Sequence, residues 1–133
     1  MDNLKCILLV EDEPIIALAC SRRIETWGYR VETAVTGEEA VRKASGNQPP
    51  DLILMDIDLG AGMNGAEAAT AILSANKLPI VFLTSHAERE MVERVKGITR
   101  YGYVIKDSGD FVLRSSIEMA FEQIGRASCR ERV

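Results

Sequence analysis

Histidine is almost missing from this chain of 133 residues: His86 is the single one, which removes a histidine-based metal centre from consideration. Cysteine is scarce as well. Cys6, Cys20 and Cys129 form no CxxC spacing. An odd, scattered set argues against a disulfide framework and for a reducing compartment, and Cys6 and Cys20, in apolar surroundings, read as small core residues. No apolar run approaches the roughly 18 residues of a membrane-spanning helix. The opening Met1-Asp2-Asn3-Leu4-Lys5 lacks the layout of a secretion signal. Basic charge is not in excess either. The net charge of −4 means that nothing global favours nucleic acid or an anionic membrane. Internal repeats and low-complexity tracts are missing too.

What is present is ordinary for a soluble globular protein: 47% apolar and 27% charged residues. The length suits about one domain with a real core. Short apolar runs at 5–10, 30–35, 51–55, 79–83 and 102–105 alternate with segments of helical periodicity. The first of these, 14–27, opens on Pro14, which suits a first helical turn, repeats Ile16, Ala19, Cys20 and Ile24, and closes at Trp27-Gly28. Segment 37–46 carries Ala40, Val41 and Ala44; 64–75 carries Ala68, Ala69, Ile72 and Leu73. Segment 87–96 shows Met91, Val92 and Val95, and 110–124 shows Leu113, Ile117, Ala120, Phe121 and Ile124. Strands separated by helices imply parallel βαβ units with right-handed crossovers. Runs 51–55 and 79–83 are almost wholly apolar, as expected of strands covered on both faces. The expected fold is α/β: a doubly wound (βα)5 domain with helices on both sides of a five-stranded parallel sheet.

Chemistry-bearing residues sit where these strands end. Glu11 and Asp12 follow the first run, Asp56 the third, Thr84 the fourth and Lys106 the fifth. Parallel strands bring all such ends to one edge, outside which ligands bind in open α/β sheets. Glu11, Asp12 and Asp56 would repel one another unless a cation neutralises them. Mg2+ takes a few carboxylates, keeps several waters and bonds phosphate oxygens, so it fits this set. Asp56 can act as a nucleophile toward a phosphoryl group. Thr84 can donate its hydroxyl to a phosphoryl oxygen, and Lys106 can neutralise the transferred charge. Each residue also has a plainer use: helix N-terminal charge for Glu13 and in part for Asp12, a strand terminus for Asp56, an N-cap for Thr84, a solvated cation for Lys106. Together, in this order at four strand ends, they favour phosphoryl chemistry.

The chain resembles the receiver domain of two-component response regulators over about 1–124. The matching stretches are Leu9-Val10-Glu11-Asp12-Glu13-Pro14, Asp51-Leu52-Ile53-Leu54-Met55-Asp56-Ile57, Pro79-Ile80-Val81-Phe82-Leu83-Thr84-Ser85 and Gly102-Tyr103-Val104-Ile105-Lys106. The resemblance implies a flavodoxin-like sheet of strand order 2-1-3-4-5, with Asp56 as the phosphoacceptor. It implies Mg2+ held by Asp12 and Asp56, by the backbone carbonyl of Asp58, and by Glu11 through water. Thr84 and Lys106 become the phosphoryl-contacting pair, and Tyr103 the aromatic switch that turns inward when Thr84 engages the phosphoryl group. The implied partner is a histidine kinase or phosphotransfer protein, reached in the cytoplasm. The output passes through the face around 87–106 to an effector or kinase domain. A fused domain and a homodimer are compatible with this, whereas direct nucleic-acid or membrane binding is not expected. Residues 125–133 have no apolar face and read as a linker stub, a helix end or an appended tail.

Three departures from the family pattern stand out. Asp107 replaces the proline that usually follows the lysine; a cis bond there would cost about 3–4 kcal/mol, so either that strain is retained or the loop 106–110 differs. Gly60 stands where proline is common, in a loop one residue longer than usual and expected to be more mobile. Asp58, two residues past the acceptor, either orients water for hydrolysis of the acyl phosphate or simply faces solvent. Ser85 and His86 lie near the site, His86 as a loop residue. The missing proline and the stretch 102–109 favour a receiver fused to or serving a sensor kinase over a DNA-binding regulator; were Val133 the end of the gene, a stand-alone receiver would be the better reading. The main alternative is a haloacid-dehalogenase-type phosphatase, whose DxD start matches Asp56-Ile57-Asp58. Its second acidic pair follows the lysine, however, and this chain has no room for a cap domain. A nucleotide- or flavin-binding module ranks last, because Glu11-Asp12-Glu13 would repel a phosphate. A receiver that folds but is never phosphorylated is disfavoured by the complete residue set.

Overall fold

The computed structural model describes residues 4–59, 62–85, 93, 96–98, 101–106 and 108–132, with side chains as far as Gln123. The elements run β1 (Cys6–Val10), α1 (Pro14–Thr26), β2 (Arg30–Ala34), α2 (Gly37–Ala44), β3 (Leu52–Asp56), α3 (Gly65–Ala75), β4 (Ile80–Thr84), β5 (Tyr103–Ile105) and a C-terminal helix (Asp110–Arg132). The expected helix over 87–96 lies largely outside the described residues, as do Gly60, His86 and the Lys106–Asp107 bond.

All four strand pairings are parallel, in the order β2-β1-β3-β4-β5 expected for this chain. The reason is visible in the strands themselves. β1, β3 and β4 are buried at every position, so each needs a cover on both faces. On one face Leu8, Val10, Ile53, Met55 and Phe82 pack under the alanines of α2 and α3. On the other Ile7, Leu9, Leu54, Val81 and Val104 pack under α1 and the C-terminal helix. Alternate residues of one strand serve opposite cores, as the pleat requires.

The first three helices begin where their sequences say, while the C-terminal helix runs past the expected end at 124 to Arg132. Pro14 occupies the first turn of α1, and Gly28 follows that helix with φ +97, a left-handed conformation that glycine adopts without a Cβ penalty. Asn64 and Glu67 close a reciprocal capping box at the start of α3. The buried stripe of α1 keeps Cys20 and Ile24 of the expected one and replaces the other two. Ala17, Cys20, Ser21 and Ile24 face the sheet, while Ile16 is 42% exposed and Ala19 is exposed. Ala17 and Ser21 take the buried places beside Cys20 and Ile24.

Candidate functional site

Register is what gathers the site. Val10 pairs with Met55, so the residues that follow, Glu11 and Asp56, stand side by side at the tips of β1 and β3. Asp56 pairs with Leu83, and Thr84 with Ile105, which places Thr84 and Lys106 on the same edge. The edge is stitched by backbone bonds. The Glu11 N–H donates to the Ala34 carbonyl at 3.0 Å, the Ile57 N–H to Leu83 at 3.0 Å and the Lys106 N–H to Thr84 at 2.8 Å.

Three polar side chains are buried there, with Asp56 and Thr84 at 1% and Glu11 at 2% exposure. Lys106 bridges two of them. Its Nζ donates to Asp56 Oδ2 at 2.8 Å and to Glu11 Oε1 at 2.9 Å. The remaining oxygens are held by backbone. Asp56 Oδ1 accepts the Asp58 N–H at 2.9 Å, and Glu11 Oε2 accepts the Glu13 N–H at 3.3 Å. Asp56 is therefore fixed at both oxygens by different segments, the residue just past β5 and the loop that follows β3. Asp58 itself is exposed, as is Ser85. Tyr103 is half-buried against the α2/α3 core, beside Phe82 in register.

The electrostatics are lopsided. Burial, and then the neighbouring Asp56, push the Glu11 carboxyl up to about 7 against the opposing pull of Lys106. Burial pulls the Lys106 ammonium down, but its bonds to Asp56 and Glu11 outweigh that and leave it above its ordinary value. Carboxylate oxygens of Glu11, Asp12 and Asp56 lie within 4.8 Å of one another. Three carboxylates against one ammonium leave a formal excess of two negative charges. A hard divalent ion matches that excess in charge and in ligand type, and half-buried Asp12 leaves room for the waters that Mg2+ keeps. The residues present thus fit such an ion.

Of the residues expected at the site, Glu11, Asp12, Asp56, Thr84 and Lys106 converge on one edge. Asp58 joins through its backbone N–H, and its carboxylate is not part of the acidic group. The plain helix-charge explanation does not hold for Glu11, which is buried against Lys106, but suits exposed Glu13 at the N-cap of α1. One contact has no mark in the local sequence: Glu38 of α2 accepts the Met63 N–H at 3.1 Å, from a loop 25 residues on.

Residues 7–118 match the model of the response regulator receiver domain. Among curated proteins, the transcriptional regulatory protein PdtaR of Mycobacterium tuberculosis is 32% identical over 126 residues, 94% of this chain and 60% of that protein. The phyllosphere-induced regulator PhyR of Methylorubrum extorquens is 40% identical over 84 residues, 62% of this chain and 32% of that one. The chain thus spans about a third to three fifths of the length of the curated relatives it matches. A solved N-terminal domain of a response regulator/sensory box/GGDEF three-domain protein from Carboxydothermus hydrogenoformans superposes with a TM-score of 0.86. It is 46% identical, over 93% of this chain and 99% of that one. The response regulator TrrA of Thermotoga maritima, solved in complex with Mg2+ and BeF, gives a TM-score of 0.78 at 31% identity, over 88% of this chain and 99% of that one. Nothing among these relatives supports the phosphatase alternative, and among the described residues no helix is long and apolar enough to cross a membrane. By its sequence over most of its length, and by its sheet, this chain belongs to the response regulator receiver domains of two-component signalling.

Proposed function

We propose that the chain is a phosphorylation-controlled switch in which Asp56 is the phosphoacceptor. The observation that carries this reading is the pair of hydrogen bonds donated by one ammonium: Lys106 Nζ holds both Asp56 and Glu11 at a buried strand edge that carries excess negative charge. A histidine kinase or phosphotransfer protein presents a phosphohistidine. Asp56 Oδ attacks phosphorus in line, the new O–P bond forms as the P–N bond breaks, and the imidazole leaves with the bonding pair. Lys106 offsets charge on the equatorial oxygens. Thr84 donates its hydroxyl to the phosphoryl group, and Tyr103 follows inward, which carries the signal to the face around 87–106. The two states differ by contacts made only after transfer, so the shift is a population change.

Asp12, Asp56 and the Asp58 backbone carbonyl would hold Mg2+ directly, with Glu11 acting through water. When bound, the ion supplies charge neutralisation and a template for the phosphoryl oxygens. Its fit is supported by the grouped carboxylates and by the burial that, with Asp56 beside it, pushes the Glu11 carboxyl up to about 7; the Mg2+ in the TrrA complex is in keeping. The unit would be residues 1–124 in the cytoplasm, with 125–133 beyond it. An effector or kinase domain would take the output, and this domain would turn over nothing beyond its own acyl phosphate.

The test is incubation with acetyl phosphate or phosphoramidate and Mg2+, read by intact mass. One added phosphoryl is expected, and none in Asp56→Asn. Uptake that persists in that variant would overturn the assignment. Steady turnover of a generic phosphomonoester would revive the phosphatase alternative. An acyl-phosphate lifetime unchanged in Asp58→Asn would remove the water-orienting role of Asp58.

A further inference from the structure

The first turn of α2 meets the loop that follows Asp56 backbone to backbone. Glu38 Oε2 accepts the Met63 N–H at 3.1 Å. A Cβ on Gly62 would lie 3.0 Å from the same carboxylate oxygen, and Gly62 has φ +91, which side chains other than hydrogen rarely tolerate. A Cβ on Gly37 would lie 2.8 Å from the Met63 carbonyl oxygen. Glycine on both sides lets the two segments approach closely enough for this bond. The neighbouring Glu39 serves its own end of the chain: its Oε1 accepts the Val35 N–H at 2.8 Å, and its N–H donates to Thr36 Oγ1 at 3.0 Å. Glu38 instead crosses to another loop.

That loop begins at Asp56 and ends at Asn64, the N-cap of α3. Its near end is pinned by the Asp58 N–H on Asp56 Oδ1 at 2.9 Å; its far end is tied to Ile57 by the Gly65 N–H at 3.2 Å and to α2 by Glu38. A glycine-containing loop loses more conformational freedom on ordering than most, so one pinned at both ends in advance binds its ligand with less entropy left to lose.

We propose that Glu38 is a positioning residue for the phosphoacceptor centre: its carboxylate holds the far end of the 57–64 loop so that the near end presents the Asp58 backbone to the divalent ion. The proposal rests on the phosphoacceptor reading of Asp56, but its consequence is measurable without phosphoryl transfer.

The experiment measures Mg2+ binding to the unphosphorylated protein by calorimetry, alongside hydrogen exchange at the Met63 amide. In Glu38→Ala, Met63 exchange accelerates and Mg2+ affinity falls on the order of fivefold, the worth of one net hydrogen bond. The Mg2+ concentration for half-maximal phosphorylation by acetyl phosphate rises by the same factor, while the final yield at saturating Mg2+ stays at one phosphoryl. Glu38→Gln keeps an acceptor oxygen and returns all three readings to within about twofold of wild type. Wild-type Mg2+ affinity in Glu38→Ala overturns the proposal, even if the melting temperature falls. Equal weakening in the Ala and Gln variants also overturns it, because that would be a field effect of the charge and not the bond. A wild-type protein that binds Mg2+ yet never takes up phosphoryl sinks the phosphoacceptor reading instead, and leaves calorimetry to decide the role of Glu38.

Discussion

At the N-terminal ends of the strands, the described polar groups pair without leaving surplus buried charge. Asp51 is exposed, its carboxylate accepts the Cys6 N–H at 2.7 Å, and its own N–H returns to the Cys6 carbonyl at 2.8 Å. The Arg30 N–H donates to Lys5 at 2.9 Å, while Tyr29 stacks on Phe121 with the Lys5 ammonium 5.2 Å from the ring centre. At the C-terminal ends, buried Glu11 and Asp56 share one ammonium, and Asp12 adds a further carboxylate within reach. The same strands are thus finished for cohesion at one end and left with surplus charge at the other. Burying like charges is unfavourable unless something offsets it. A surplus kept at a sheet edge where ligands bind is what a cation and a phosphoryl group would use.

The sharpest way to break this contrast is to remove the ammonium at the charged end. Lys106→Ala leaves Glu11 and Asp56 without their shared cation, and phosphoryl uptake is expected to slow by about 10²–10³-fold, the usual cost of losing one charge-stabilising donor. Arg30→Ala, at the opposite end, should leave the uptake rate unchanged; rapid-quench time courses compare the two. Next in size is a packing effect. A Cβ on Gly65 would stand 2.1 Å from the Asp56 carbonyl oxygen, a backbone atom that cannot swing away. Gly65→Ala should cost about 3 kcal/mol by denaturant unfolding. Gly46→Ala, near the other end of the sheet, would meet nothing closer than 3.6 Å and should stay within about 0.5 kcal/mol of wild type.

The smallest effect is a pH dependence. Glu11 titrates near 7 when folded and near 4.5 in its ordinary state, so between these values the folded chain keeps a proton that the unfolded chain has released. Stability from this group therefore falls as pH rises through that window and levels off above it. The loss should be on the order of 2 kcal/mol without divalent ions. Melting temperatures in chelator across pH 4.5–7.5 should show this slope as the difference between wild type and Glu11→Gln, and Mg2+ should reduce it. No difference between the two proteins would mean that Glu11 is not held neutral by its surroundings.

Much of the molecule was legible before any coordinates. Apolar runs alternating with helical stripes require parallel strands with crossovers, and burial of β1, β3 and β4 on both faces follows from residues that are apolar up to the strand tips. The site was legible for a related reason: in a parallel sheet the residue after each strand goes to the same edge, so Glu11, Asp12, Asp56, Thr84 and Lys106 needed only strand ends to be placed together. The α1 stripe was less legible. Helical periodicity offers overlapping faces, and a choice between Ile16 with Ala19 and Ala17 with Ser21 depends on how closely the helix lies on β1. Glu38 was hidden altogether, since its partner belongs to a loop distant in sequence and no local pattern joins them.

The order of apolar and polar residues along the chain decided which segments become strands, that they run parallel, and which chemical groups stand at their tips, because these follow from short-range periodicity and from the pleat. Tertiary packing alone decided that Lys106 spans Asp56 and Glu11, that burial pushes the Glu11 carboxyl upward, and that α2 grips the loop beyond Asp56. Those outcomes depend on distances of about 3 Å between groups far apart in sequence, and on the burial that strengthens their charges.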